Sequence, residues 1–436
     1  MLAIWAGMSE NCTSASITRQ HRGTRTYAPA VRRRHEVAGP SAVAPSLAEL
    51  FTTFLVVGVS AVGMGIMQAI RTVPVQRGWM AQEDIDEGMG LVQLYPGAIM
   101  VDLITYIGYR LRGIRGALVS VVAFVGPSLV LLLGLSWAFF TYGSHPVVID
   151  LAIGLEALVV GVLVNLALDF GAQHATGTIP ALVALGAFAV EAAGQNVLWA
   201  VFGALVVGAL ALGPAAGKSG ATPAADTTPS PVSISWSRLA LATVPGLVIV
   251  AGVVVAALSP GALAAVSADM AKTGAVAFGN GTAIMPILQQ DAVAHHWLTL
   301  RQFGVGVGFG QVTPGPFLST ASFVGYAAAG WWGGVAAGLA IYAPSVAMTM
   351  IVAEVYPVFR RFAWVRGAIV GVMAAFTGLL AGLVLVLGRP VLPVPAAIGL
   401  AGAAFVAVRV LKWNTLVVFA AGLAVWVVYL AAGGAT

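Results

Sequence analysis

A chain of 436 residues that is 59% hydrophobic and only 8% charged, with a formal net charge of +5, cannot cover a soluble surface with polar groups, since soluble domains carry about 25% charged residues. Its mean hydropathy is +0.94, and its apolar runs are long and do not alternate, which points to an all-α integral membrane protein rather than a barrel. One cysteine, Cys12, excludes an internal disulfide framework and a cysteine-based zinc site.

Residues 1–45 hold Arg19, Arg22, Arg25, Arg32, Arg33 and Arg34 among Ser, Thr and Pro. They read as a disordered basic tail on the cytoplasmic side, with contact to anionic lipid as a second reading. No apolar stretch there is long enough for the core of a signal peptide. A first repeat spans 46–213, with apolar segments near 47–70, 85–110, 114–142, 147–170, 179–193 and 196–213. A polar linker, 214–238, leads to a connecting transmembrane helix, 239–258, and then to a second repeat, 259–436. The apolar segments of the second repeat lie near 262–288, 303–327, 331–353, 366–388, 391–409 and 413–432, for about thirteen transmembrane helices in all.

The duplication is visible residue by residue. Trp79, Gln93, Pro96 and Gly97 match Trp297, Gln311, Pro314 and Gly315 at an offset of 218. Gly108-Tyr109, Gly113, Gly116 and Pro127-Ser128 match Gly325-Tyr326, Gly330, Gly333 and Pro344-Ser345 at 217, as Gly154 and Gly161 match Gly371 and Gly378. One deletion explains the step, and fixed-period self-similarity of this kind is a tandem duplication. An unmatched helix between the halves makes the second enter the membrane from the opposite side, so the repeats are expected to have inverted topology. With the N-terminus in the cytoplasm and the C-terminus outside, 17 of the 21 lysines and arginines fall on the cytoplasmic side; Arg71, Arg77, Lys272 and Arg389 fall elsewhere. The loop with Arg110, Arg112 and Arg115 corresponds to Ala327, Ala329 and Trp332, charged in one half and uncharged in the other.

Taken together, "GW" (78–79), "LVQLYPG" (91–97), "YIGYRLRGIRGA" (106–117) and "GPS" (126–128), followed by "FGNG" (278–281), "GQVTPGP" (310–316), "FVGYAAAG" (323–330) and "APS" (343–345), resemble the two halves of chromate transporters of the ChrA type over roughly 50–430. In the first half the chain has Pro96-Gly97-Ala98 where the resemblance leads one to expect Pro-Gly-Pro. The resemblance implies a multi-pass protein of the cytoplasmic membrane that exports chromate, a tetrahedral oxyanion, using a proton or ion gradient. Sulfate is an alternative substrate, and neither a cofactor nor a metal is implied. Fusion of the halves leaves a homodimer open. A compact catalytic constellation is lacking, so the chain is not read as an enzyme, and the glycine-rich runs follow no strand, which excludes dinucleotide and P-loop motifs. The basic excess is topological and does not point to nucleic acid.

Proline breaks a helix, and a break at membrane depth survives only where it is buried in protein or lines a wet cavity. The free N–H groups and dipole at the following helix start favour an anion. Pro96-Gly97 and Pro314-Gly315-Pro316 are therefore expected to face each other across a pseudo-two-fold axis, with Gly63, Gly65, Phe278, Gly279, Asn280 and Gly281 completing a cradle. Gln93, Gln311 and Thr313 would add donors, and Lys272 a cationic charge. The bland alternatives are a packing kink, glutamines bonded between helices, and a lysine that snorkels to the interface. Intramembrane acids are functional candidates by default. Glu156, whose second-half counterpart is Met373, and Asp102, about two turns after Pro96, are the candidates for proton coupling; Asp169 reads as solvated near a helix end. Asp291 and His295 have the spacing of a metal pair but no third ligand, and read as part of a solvated stretch.

Overall fold

The computed structural model describes residues 44–60, 64–93, 95–143, 145–212, 236–277, 284–359 and 363–434. All regular structure among them is helical. The first half holds α1 (Leu47–Ser60), α2 (Met64–Gln76), α3 (Gln82–Val92), α4 (Ile99–Tyr142), α5 (Pro146–His174), α6 (Thr178–Ala192) and α7 (Val197–Val207), which ends in a π-helical turn, Gly208–Leu212. Helix α8 (Trp236–Leu258) connects the halves. The second half holds α9 (Ala262–Ala275), α10 (Met285–Ala294), α11 (Leu300–Val312), a 3₁₀ turn at Phe317–Thr320, α12 (Ala321–Ala340), α13 (Ala343–Phe359), α14 (Ala363–Gly388), α15 (Pro395–Arg409) and α16 (Thr415–Ala431).

The offsets in sequence reappear in backbone geometry. Adding 217 to the bounds of α6 gives those of α15. Helix α4 folds back on itself at Arg112 (φ −141°, ψ 21°) and Gly113 (φ 61°, ψ −153°), and α12 does so at Ala329 (φ −148°, ψ 30°) and Gly330 (φ 63°, ψ −151°). Both turns need a residue without Cβ, because this corner of φ/ψ space is essentially confined to glycine. In each hairpin the legs meet through glycines, Gly108 against the backbone of Gly116 and Gly325 against that of Gly333, as close packing of membrane helices requires. Gly78 and His296, 218 apart, both have positive φ. Beside them Arg77 lies over the Trp79 ring, and His295 stacks on Trp297.

The apolar segments are divided more finely than full-length spans. Segment 47–70 is two helices of 14 and 13 residues, each only about 20 Å long at 1.5 Å per residue, and segment 262–288 is likewise α9 and α10. Segment 85–110 breaks between α3 and α4, and segment 303–327 between α11 and α12. Among the described residues four stretches are long and apolar enough to cross a bilayer, within Ile99–Tyr142, Pro146–His174, Phe317–Val355 and Gly367–Gly388, and six further apolar helices are shorter. The chain is a multi-pass membrane protein.

The halves pack on each other reciprocally. Gly161 of α5 lies against the Ala401 carbonyl of α15, and Gly378 of α14 against the Ala184 carbonyl of α6, with both partners shifted by 217. The Trp426 indole N–H donates to the Asp150 carbonyl at 2.7 Å. At one end of the bundle Arg112 donates to the Pro45 and Ala44 carbonyls just before α1, and Arg77, after α2, lies near enough to Glu49 to act on its charge. Helices α1 and α2 therefore leave and return to the same end. Asp169 of α5 is ion-paired with Arg409 of α15, both a little more than a third exposed, so it is not merely solvated. Elsewhere the Gln290 amide of α10 donates to the Gln195 carbonyl and its oxygen accepts from the Val197 N–H.

Candidate functional site

Each Pro-Gly break is closed by a serine from the opposite half. At the first break, Ala98, the residue before α4, donates its N–H to Ser345 Oγ of α13 at 2.9 Å, and Gly97 is buried against Ser345 and the Asp102 carboxylate. Ser345 also donates to Asp102 Oδ1. Thr349, one turn on, donates to the same oxygen at 3.2 Å and lies 2.6 Å from the Tyr95 hydroxyl. At the second break, Gly315 has φ 108°, which no β-carbon would tolerate without strain, and backs onto Ser128 of α4. Ser128 and Ser319 share a hydrogen bond of 2.7 Å, and Ser319 bonds the Tyr342 hydroxyl at 2.9 Å. Ser128 and Ser345 are equivalent at 217, and so are Asp102 and Ser319: one reciprocal clasp occurs twice, once with a carboxylate and once with a hydroxyl. Helix α4 starts directly beyond the first break, so the N–H groups of its first turn after Ala98 have no intrahelical carbonyl. At the second break the 3₁₀ turn at Phe317–Thr320 precedes α12 and pairs the Ser319 and Ala321 N–H groups with the Pro316 and Leu318 carbonyls.

The other expected residues are placed as follows. Pro96, Pro314 and Gly315 are half-buried and Pro316 is buried. Gln93 ends α3 exposed, and Gln311 is half-buried. Thr313 is buried, with its hydroxyl donating to the Gly310 carbonyl of its own helix at 3.3 Å. Gly65 lies in the first turn of α2; Gly63 and Phe278, Gly279, Asn280 and Gly281 lie outside the described residues. Lys272 is not a free cation. It pairs with Asp269 at 2.9 Å and Asp291 at 3.0 Å, and His295 lies 3.3 Å from Asp269. No cluster able to hold a metal occurs among the described residues. Glu156 is buried on α5 with Arg301 of α11 at 3.7 Å, beyond hydrogen-bond reach, in the space left by Gly304.

The sequence reading missed Ser128, Ser345, Thr349 and Tyr95, whose role depends on contacts across about 190 to 250 residues of chain. It also missed Asp269, which was legible: a carboxylate three residues before a lysine on a helix is a ready partner.

A duplicated, membrane-embedded helical protein with two broken helices clasped across its halves has the build of a membrane transport protein. The family model described as "Chromate transporter" matches residues 48–209 and 264–427, and the chain belongs to that family. It is 30% identical over 351 residues to the probable chromate transport protein of Synechococcus elongatus, covering 79% of this chain and 85% of that one. It is 29% identical over 326 residues to the chromate transport protein of Cupriavidus metallidurans, covering 73% and 77%. The chromate transport protein of Pseudomonas aeruginosa is 27% identical over 407 residues, covering 90% and 95%. No solved structure matches the chain.

Proposed function

We propose that the chain is a secondary transporter that exports an inorganic oxyanion, chromate above all, across the cytoplasmic membrane at the expense of an ion or proton gradient. The observation that carries this reading is the pair of clasped breaks. The serine hydroxyls are spent on closing the breaks, Ser345 donating to Asp102 and Ser128 to the Val125 carbonyl. Backbone N–H groups at the helix starts and the glycines therefore supply the donors, without fixed positive charge, which suits a doubly charged tetrahedral anion that must be released again. The names of the relatives point to the same substrate.

The repeats are read as inverted. Helices α1 and α2 open toward the end that carries Arg112 and the start of α1. Their counterparts α9 and α10 open beside Gln195, at the far end of α6. With the Arg112 end in the cytoplasm, Arg71 and Arg77 move to the cytoplasmic side and Arg301 to the outer side, and 18 of the 21 basic residues are then cytoplasmic. Everted vesicles test the function: an energised membrane, with the vesicle interior positive, should drive chromate entry in wild type and not in Pro314→Ala/Gly315→Leu. Strong competition by sulfate would widen the site to tetrahedral anions in general, and no entry of either anion with correctly inserted protein would refute the assignment.

A further inference from the structure

The two breaks share a backbone but differ in chemistry. The second is lined by the hydroxyls of Ser128, Ser319 and Tyr342. The first carries Asp102 in the place of Ser319. Asp102 is fully buried. Its Oδ1 accepts from Ser345 and Thr349, while Oδ2 has no hydrogen-bond partner among the described residues and lies against Gly97 at the break itself. The groups around it leave its charge uncompensated. Tyr95 faces it through Thr349, and α13 presents Ser345 and Thr349, with Glu354 two turns away bonded to Tyr109. Toward α4, α1 buries Leu50, Thr53, Phe54 and Val57, and its Glu49 lies at the Arg112 end. Helix α12 carries no charged residue. Arg71 on α2 is paired with Asp86 of α3, whose Glu83, Asp84 and Glu87 project from an exposed face or half-buried edge, and Arg301 on α11 faces Glu156. A bare carboxylate here is costly and repels an arriving anion. A proton taken from water onto Oδ2 removes that charge and turns the unpartnered oxygen into a donor at the break.

We propose that Asp102 is the proton-binding group of the transporter, and that proton and oxyanion occupy the first break together and cross the membrane in the same direction. This rests on the reading of the breaks as the anion site. It fixes the sign of the coupling: each ligand strengthens the other by the same factor. A dianion leaving with one proton still carries one negative charge outward, so the inside-negative potential, the electrical part of the ion gradient, drives export while an acid outside opposes it.

The test uses the full chain in proteoliposomes clamped at zero potential, wild type against Asp102→Asn, with initial chromate uptake measured between about pH 6 and pH 8. Wild type should lose affinity by up to about tenfold per pH unit on the alkaline side, the limit for one linked proton. The asparagine variant should transport with no such dependence; chromate's own protonation affects both proteins equally and cancels in the comparison. An unchanged pH profile in the variant, or tighter binding at alkaline pH in wild type, overturns the proposal. If the variant is inactive, a pH electrode in weakly buffered detergent solution decides: chromate near pH 8, where it is the dianion, and sulfate where it competes with chromate, should draw protons onto wild type beyond the Asp102→Asn blank, and no such uptake with chromate overturns the proposal. Wild type inert toward both anions would instead refute the transporter reading itself.

Discussion

Gly113 and Gly330 adopt the same left-handed turn 217 residues apart, and no atom lies within 4 Å of where a Cβ would sit on either. Alanine at each should therefore cost backbone strain alone, about 1–3 kcal/mol. The double variant should show nearly the sum, since distant sites add; thermal unfolding in detergent measures this. Glu156 makes the opposite prediction. Its carboxylate has no hydrogen-bond partner among the described residues, and Arg301 is 42% exposed and can be solvated alone. Glu156→Met, the residue at its second-half counterpart, should be neutral or raise stability by up to about 4 kcal/mol; a drop in the unfolding temperature would show the carboxylate to be a structural tie. Asp102 and Glu156 were both legible as acids inside apolar segments. What separates them, hydroxyls from the other half in one case and a distant guanidinium in the other, was not, because a partner in another helix leaves no local signal.

At the scale of elements, the sequence showed where helices interrupt but not how short the pieces are. Proline and glycine in "LYPGA" and "TPGP" mark the breaks in segments 85–110 and 303–327. Segment 47–70 gives no such warning: α1 and α2 are separated by apolar residues around Gly63, and a hydropathy window reads the run as one span. The boundaries of α6 and α15 came out well, at 178–192 and 395–409 against the expected 179–193 and 391–409, because polar and proline residues flank them. The Asp169–Arg409 pair that ties α5 to α15 is more than a third exposed on both sides. Arg409→Ala should therefore cost no more than about 1 kcal/mol, less at high salt. A larger loss in unfolding temperature would mean that the pair is shielded by lipid rather than by water.

For the whole molecule, the proposed inverted topology makes a prediction that loop chemistry can test. In a Cys12→Ser background, Arg115→Cys should react with a membrane-impermeant maleimide only from the cytoplasmic face, and Trp332→Cys, its counterpart, only from the outside. Labelling of both from one side would mean parallel repeats. The duplication was readable from glycines, prolines and tryptophans, whereas the crosswise arrangement needed coordinates: Gly161 meets Ala401 and Gly378 meets Ala184, and neither half can form its own contact. The serine clasps carry this into biosynthesis. Ser345 is made 243 residues after Asp102, so at ribosomal rates of about 5–20 residues per second the acid waits roughly 10–50 s for its hydroxyl partner. During that interval the first half sits in the bilayer with an unclosed break and an unmatched carboxylate, which makes the nascent chain a client for whatever insertase or chaperone shelters polar groups until the second half arrives.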